Sequence, residues 1–134
     1  VEKEGVLYYN DSKATNPEAT EKALQAFDAP IILLAGGKDE KNPFEVLSQY
    51  EDKCKSVFLF GETKHQLKEI FKKGILVDDL ESAFKEAQKI ATEGDVILLS
   101  PACASYDQFK NFEVRGDLFR KLSLGQILKV TSVN

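Results

Sequence analysis

Three short clusters carry the residue types that can do chemistry. The longest runs Ser100-Pro101-Ala102-Cys103-Ala104-Ser105-Tyr106-Asp107 and continues through Gln108, Phe109, Asn111, Phe112 and Glu113 to Arg115-Gly116-Asp117. It follows an apolar run, Val96-Ile97-Leu98-Leu99, that reads as a buried strand. Small residues at the end of such a strand let a ligand or a second backbone come close. Asp107 is placed to cap a helix whose first-turn N–H groups face the same cleft, a favourable setting for an anion. The second cluster is Asn10-Asp11-Ser12-Lys13-Ala14-Thr15-Asn16. Lys13 offers a mobile cation to phosphate or carboxylate, and Asp11 an acceptor for a ribose hydroxyl or a metal-bound water. Thr15 and Asn16 add donors near a helix start, although Asp11 or Asn16 could equally serve only as a cap. The third is Gly36-Gly37-Lys38-Asp39-Glu40-Lys41, where paired glycines let backbone N–H groups approach an anion and the lysines add charge. It has neither P-loop nor GxGxxG spacing, and a solvated charged loop is the alternative.

The elements that must position these clusters alternate. Strands are expected at 6–9, 31–34, 56–60, 75–77 and 96–99. Helices are expected at 17–27 (Asn16 as cap, Pro17 in the first turn), 44–50, 64–71, from Asp79 onward, and 109–122. Leu80, Ala83, Phe84, Ala87 and Ile90 fall at helical spacing. The resulting fold class is α/β: a Rossmann-like three-layer sandwich, its mostly parallel sheet covered by helices on both faces. Right-handed crossovers then put every strand-to-helix turn on one edge, so 11–16, 36–41, 61–63 and 100–107 should share a rim, the place where open α/β sheets take ligands. The tail, 123–134, is an extension of uncertain structure in which 127–133 reads as an edge strand or a frayed end.

The 134 residues make one domain, with a net charge of −4 that argues against nucleic acid or an anionic membrane as partner. No apolar run reaches transmembrane length, and the first residues lack the shape of a signal peptide, which points to the cytoplasm. Two cysteines without metal-ligand spacing exclude a disulfide framework and offer no metal site. Cys103 reads as a packed thiol, His65 as a solvated or capping residue, and Asp78, Asp79 and Glu81 as carboxylates that favour a helix start. No apolar surface stripe is left over, so a monomer is expected. Methionine is absent even at position 1, which reads as a domain of a longer chain, or else as initiator processing.

Taken together, the 10–16 cluster, the Gly36-Gly37 loop with Asp39, and Leu98 to Phe109 with Asn111-Phe112-Glu113 and Arg115-Gly116-Asp117 resemble the Mur ligases. The likeness is to the branch that adds D-glutamate, and it runs from about Gly5 to Leu122. It covers only that family's C-terminal, D-glutamate-binding domain, assigned to 1–122. The implied reaction is an ATP-dependent amide ligation in peptidoglycan synthesis. ATP phosphorylates the carboxylate of UDP-MurNAc-L-alanine, the amine of D-glutamate attacks the acyl phosphate, and phosphate leaves. The family's Mg²⁺ is held mainly by the central ATPase domain, which is outside these residues, so this domain alone is expected to be inactive. The alternative is a stand-alone module that binds a nucleotide or an acidic amino acid without catalysis.

The resemblance places Asp11 and Lys13 toward ATP, Asp11 at the ribose and Lys13 as the catalytic cation. It places Thr15 near the D-glutamate side chain, Ser105 and the backbone at Tyr106 at the D-glutamate carboxylate, and Phe112 as an aromatic lining that pocket. Arg115 is expected in a helix-surface ion pair, with a further ligand-binding role as the alternative. One departure stands out: the family usually has a lysine directly after the loop aspartate, and here Glu40 follows Asp39. Lys41 is expected to take over through a one-residue shift, with Lys38 or weaker anion binding as the alternatives.

Overall fold

The computed structural model describes residues 1–125. Within them the chain forms β1 (Glu2–Lys3), β2 (Val6–Asn10), α1 (Pro17–Ala26), β3 (Ile31–Gly36), a 3₁₀ helix (Glu45–Lys53), β4 (Cys54–Phe60), α2 (Lys64–Ile70), β5 (Gly74–Leu76), α3 (Leu80–Ile90), β6 (Val96–Leu99) and α4 (Phe112–Ser123). The six strands form one sheet in the order β1-β2-β6-β3-β4-β5, parallel except for the short β1. No helix among the described residues is long and apolar enough to cross a membrane.

The central strands are apolar along their whole length because both faces are covered. Successive side chains of β3 go to opposite layers. Ile31, Leu33 and Ala35 pack with Leu24 of α1, Leu47 of the 3₁₀ helix and Leu67 of α2. Ile32 and Leu34 pack with Leu80, Ala83, Phe84 and Ala87 of α3 and with Phe119 and Leu122 of α4. On that second face Phe84 stacks on Tyr8 at 5.6 Å and meets Phe119 edge-on at 5.7 Å. Such pairs add about 0.5–1.5 kcal/mol each beyond the area they bury. The expected three layers are therefore present.

Two helix starts form as the sequence predicts. Asn16 accepts the Ala19 N–H at 2.9 Å with Pro17 following, and Asp79 accepts the Ser82 N–H at 2.8 Å. Two helices differ from expectation. The segment predicted as a helix over 44–50 winds as a 3₁₀ helix to Lys53, and its start carries no side-chain cap. The last helix begins at Phe112 rather than 109, and its cap is Asn111, whose Oδ1 accepts the Val114 N–H at 2.9 Å. Asp107 is not a cap. Residues 104–111 fold instead as turns, with the Gln108 and Phe109 N–H groups both on the Ser105 carbonyl. The two-residue β1 has no counterpart among the expected strands, and the tail at 127–133 lies outside the described residues.

Register fixes the rim. Asn10 of β2 lies opposite Leu99 of β6, and Gly36 of β3 opposite Phe60 of β4, so four strands end nearly level. The loops that follow meet there, as the topology requires.

Candidate functional site

Hydrogen bonds knit the four rim loops into one surface. The Gly36 N–H donates to the Pro101 carbonyl at 3.0 Å, and the Lys38 N–H to the Ala104 carbonyl at 2.8 Å. The Thr63 N–H reaches the Gly37 carbonyl at 3.0 Å, and the Gly37 N–H reaches Thr63 Oγ1 at 3.2 Å. Thr63 Oγ1 also lies 3.3 Å from Cys103 Sγ. Burial pushes the Cys103 thiol up to about 11, so it is a packed thiol rather than a nucleophile.

These bonds revise the role of the glycine pair. The N–H groups of Gly36, Gly37, Lys38, Asp39 and Lys41 all have acceptors inside the protein, so the loop is not an anion cradle. The glycines are there because backbones converge. A Cβ on Gly36 would sit 1.9 Å from the Phe60 carbonyl oxygen, and one on Gly37 would sit 2.3 Å from that of Ala104, both at positive φ.

Two clefts open on the rim, with Phe112 between them. The first, about 330 Å³, is lined by Thr15, Glu40, Ala104, Ser105, Tyr106 and Phe112. Four of the five residues expected at the D-glutamate end are thus brought together across the 11–16, 36–41 and 100–112 loops. Ser105 is 2% exposed, and its Oγ has no hydrogen-bond partner among the described residues. The Tyr106 N–H beside it likewise has no internal acceptor among them. A buried polar atom without a partner costs about 1–3 kcal/mol, so its persistence points to a partner that arrives with a ligand.

The fifth residue, Lys41, is elsewhere. Its side chain is 87% exposed, its backbone has φ +63°, and its Nζ pairs with Asp39 Oδ2 at 3.3 Å. The Lys41 backbone N–H, helped by its ammonium, holds the Asp39 carboxyl below its ordinary range. Lys38 is turned to Glu62 at 3.9 Å. The charged residue that does line the cleft is Glu40.

The second cleft, about 340 Å³, is lined by Asn10, Asp11, Ser12, Lys13, Phe112, Glu113, Gly116 and Asp117. Asp11 Oδ2 accepts from Ser100 Oγ at 2.9 Å, and Ser100 Oγ is also 3.1 Å from Thr20 Oγ1. Partial burial raises the Asp11 carboxyl above its ordinary range, against the opposing pull of the Ser100 bond and the Lys13 charge. Three carboxylates and one ammonium in a cleft suit hydroxyl and N–H donors better than a bare polyphosphate.

Arg115 departs furthest from expectation. It is not in a surface ion pair: it is fully buried, and no carboxylate lies within 4.0 Å of its guanidinium among the described residues. Nε donates to Ser12 Oγ at 2.9 Å, Nη2 to the Ser12 carbonyl at 2.7 Å and Nη1 to the Cys103 carbonyl at 2.9 Å. Burial lowers its pKa to about 10, well above neutrality, so it stays charged. Ser12 Oγ in turn donates to the Phe112 carbonyl at 2.7 Å, and Asn10 Nδ2 donates to that of Gly116 at 3.0 Å. The sequence did hold a signal for this clamp: Gly116 sits inside a helix, where a Cβ would press on Ser12 Cβ at 3.2 Å.

His65 is exposed, and Thr63 rather than His65 precedes α2. A larger groove, about 900 Å³, lies at the other ends of the strands, among Lys3, Glu4, Lys85, Glu86, Lys89 and Glu93. Two of its lysines already pair with carboxylates of their own helix. Among the described residues no three His, Cys, Asp or Glu side chains converge to hold a metal ion.

The chain is similar to known proteins over most of its length. The family model for the Mur ligase, glutamate ligase domain matches residues 1–103. A UDP-N-acetylmuramoylalanine–D-glutamate ligase of Clostridium acetobutylicum is 48% identical over 132 residues, covering 90% of this chain and 29% of that protein. The protein of the same name from Bacillus subtilis is 54% identical over 120 residues, covering 86% and 27%. The chain thus spans less than a third of the length of these relatives. Among solved structures, the MurF ligase of Thermotoga maritima in complex with ADP aligns with a TM-score of 0.60 at 22% identity, over 96% of this chain and 30% of that one. The bifunctional folylpolyglutamate synthase/dihydrofolate synthase of Yersinia pestis aligns with a TM-score of 0.59 at 16% identity, over 82% and 27%. At such identity these two speak for the fold alone. With the family model over most of the chain and relatives near half-identical across nearly all of it, the chain belongs to the Mur ligase family, as its glutamate ligase domain.

Proposed function

We propose that this domain presents D-glutamate, and part of the ATP contacts, in a ligase that joins D-glutamate to UDP-MurNAc-L-alanine in the cytoplasm. The observation that carries the reading is the unpartnered, buried Ser105 Oγ in a cleft shared with Thr15, Tyr106 and Phe112. A hydroxyl and a backbone N–H side by side are two donors for one carboxylate, and Phe112 gives the ligand's methylenes an apolar wall. The names of the relatives support the choice of D-glutamate. Lys41 Nζ is held by an exposed, solvent-screened pair, so it is free to leave Asp39 for a carboxylate at the cleft mouth.

In the neighbouring cleft Asp11 is the acceptor for a ribose hydroxyl, and Lys13 the mobile cation toward the phosphates. Lys13 then acts where negative charge develops as the amine attacks an acyl phosphate and phosphate departs. Phe112 between the clefts keeps nucleotide and amino acid on adjacent sides of one wall.

The test is phosphate release by the ligase that carries this domain, with ATP, UDP-MurNAc-L-alanine and each of D-glutamate, L-glutamate and D-aspartate. Release that needs all three reactants and strongly prefers D-glutamate is the expected result. Release that does not depend on the amino acid, or does not prefer D-glutamate, would remove this reading, and no release by the folded enzyme would favour a module that only binds.

A further inference from the structure

The buried guanidinium of Arg115 touches neither cleft, yet it is bonded to the loops that make both. Ser12 lies between Asp11 and Lys13 and lines the nucleotide-side cleft. Cys103 precedes Ala104 and Ser105, which line the amino-acid side. Every contact of Arg115 across this gap goes to a neutral acceptor, two carbonyls and a hydroxyl. Burying a charge without a counter-ion is costly, and a side chain that only filled this space would be less costly if apolar. The guanidinium does what an apolar residue or a lysine does not. Its planar fork meets two chain segments at fixed angles, whereas an ammonium is a point donor on a flexible stem. The contacts are also mutually supporting, since Ser12 Oγ accepts from Nε and donates to the Phe112 carbonyl at the start of α4.

We propose that Arg115 is a positioning residue that sets the spacing between the Lys13 side and the Ser105 side of the rim, acting through Ser12 and Cys103. Resting on the reading given under Proposed function, this makes Arg115 responsible for the alignment of the two reactants rather than for the affinity of either. A misplacement of about 1 Å between reacting groups costs on the order of 100-fold in rate. A lost contact to one ligand would instead appear in that ligand's KM.

The test uses Arg115→Lys and Ser12→Ala, singly and together, in the ligase that carries this domain. Readouts are kcat, KM for ATP and for D-glutamate, and hydrogen exchange of the backbone amides without ligands. For Arg115→Lys, kcat is expected to fall about 100-fold while both KM values change less than about threefold. Ser12→Ala, which keeps the two carbonyl contacts, is expected to lose about tenfold in kcat, and the double variant to lose little beyond Arg115→Lys. In exchange, amides of 11–15 and 103–107 are expected to quicken together, with β3 and β4 unchanged. The exchange result needs no substrate, so it stands even if D-glutamate proves to be the wrong amino acid. The proposal is overturned if the folded Arg115→Lys enzyme keeps kcat within about twofold. It is also overturned if the loss is confined to one KM, if exchange rises over the whole sheet, or if neither loop changes. Should Arg115→Lys fail to fold, Ser12→Ala carries the same test: an unchanged kcat for that variant overturns the proposal.

Discussion

Asp107 Oδ2 accepts the backbone N–H of Glu62 at 2.9 Å, and a Cβ on the neighbouring Gly61 would lie only 2.5 Å from that same oxygen. One carboxylate thus ties the end of β4 to the 100–107 loop, and Gly61 at φ +78° is the residue that lets it come so near.

Gly61→Ala is therefore expected to destabilise the domain by about 2 kcal/mol, from the left-handed backbone and the displaced carboxylate together. In an Asp107→Ala background, which costs about 1 kcal/mol by itself, the penalty of Gly61→Ala should shrink because the closest contact is gone, leaving the Gly37 backbone at 3.0 Å and the positive φ. Urea unfolding of the four proteins measures this; strictly additive costs would contradict the contact.

Asp11→Asn is expected to separate stability from binding. The folded domain raises the Asp11 pKa, so its folded state binds the proton more tightly than the unfolded chain does. The ionised carboxylate therefore costs stability at neutral pH, and that cost is relieved as pH falls toward the ordinary carboxylate range. The variant should melt higher than the native domain at pH 7, with the gap closing on acidification. Its ATP affinity in the ligase should fall about tenfold, one charge-assisted hydrogen bond's worth. Thermal melts across pH and an ATP titration read both; a lower melting point at pH 7 would contradict the account.

Glu40→Lys addresses the charge at the mouth of the first cleft. Glu40 makes no ion pair among the described residues and stands where a D-glutamate carboxylate would approach. The substitution should lower the KM for D-glutamate about fivefold at low salt, with the gain shrinking as salt screens it. An unchanged KM would mean that Lys41 already supplies the cation.

What the sequence disclosed, and what it hid, divides along physical lines. Strands covered on both faces announce themselves as apolar runs, and caps such as Asn16 and Asp79 as polar residues before helical spacing. Parallel topology then puts the rim loops together without further information. Thr15, Ser105, Tyr106 and Phe112 were legible by resemblance and meet in one cleft. Asp107 misled because a carboxylate before a helix looks the same whether it caps its own chain or a distant N–H, and Glu62 is 45 residues away. Arg115 misled because surface pairing is the usual fate of a helical arginine, and its true acceptors are carbonyls that no side-chain pattern displays. The glycine pair marks a close approach in the sequence, but the groups it admits are the Phe60 and Ala104 carbonyls rather than an anion.

The most direct measurement is Ser105→Ala, read for stability and for D-glutamate KM on the same protein. If the buried Oγ awaits a ligand carboxylate, removing it deletes an unpaired polar atom, and the domain should gain about 1 kcal/mol. The KM for D-glutamate should rise about tenfold with the KM for ATP unchanged. A domain that loses stability while its D-glutamate KM stays the same would show that the hydroxyl serves the fold, and the proposed amino-acid cleft would fall with it.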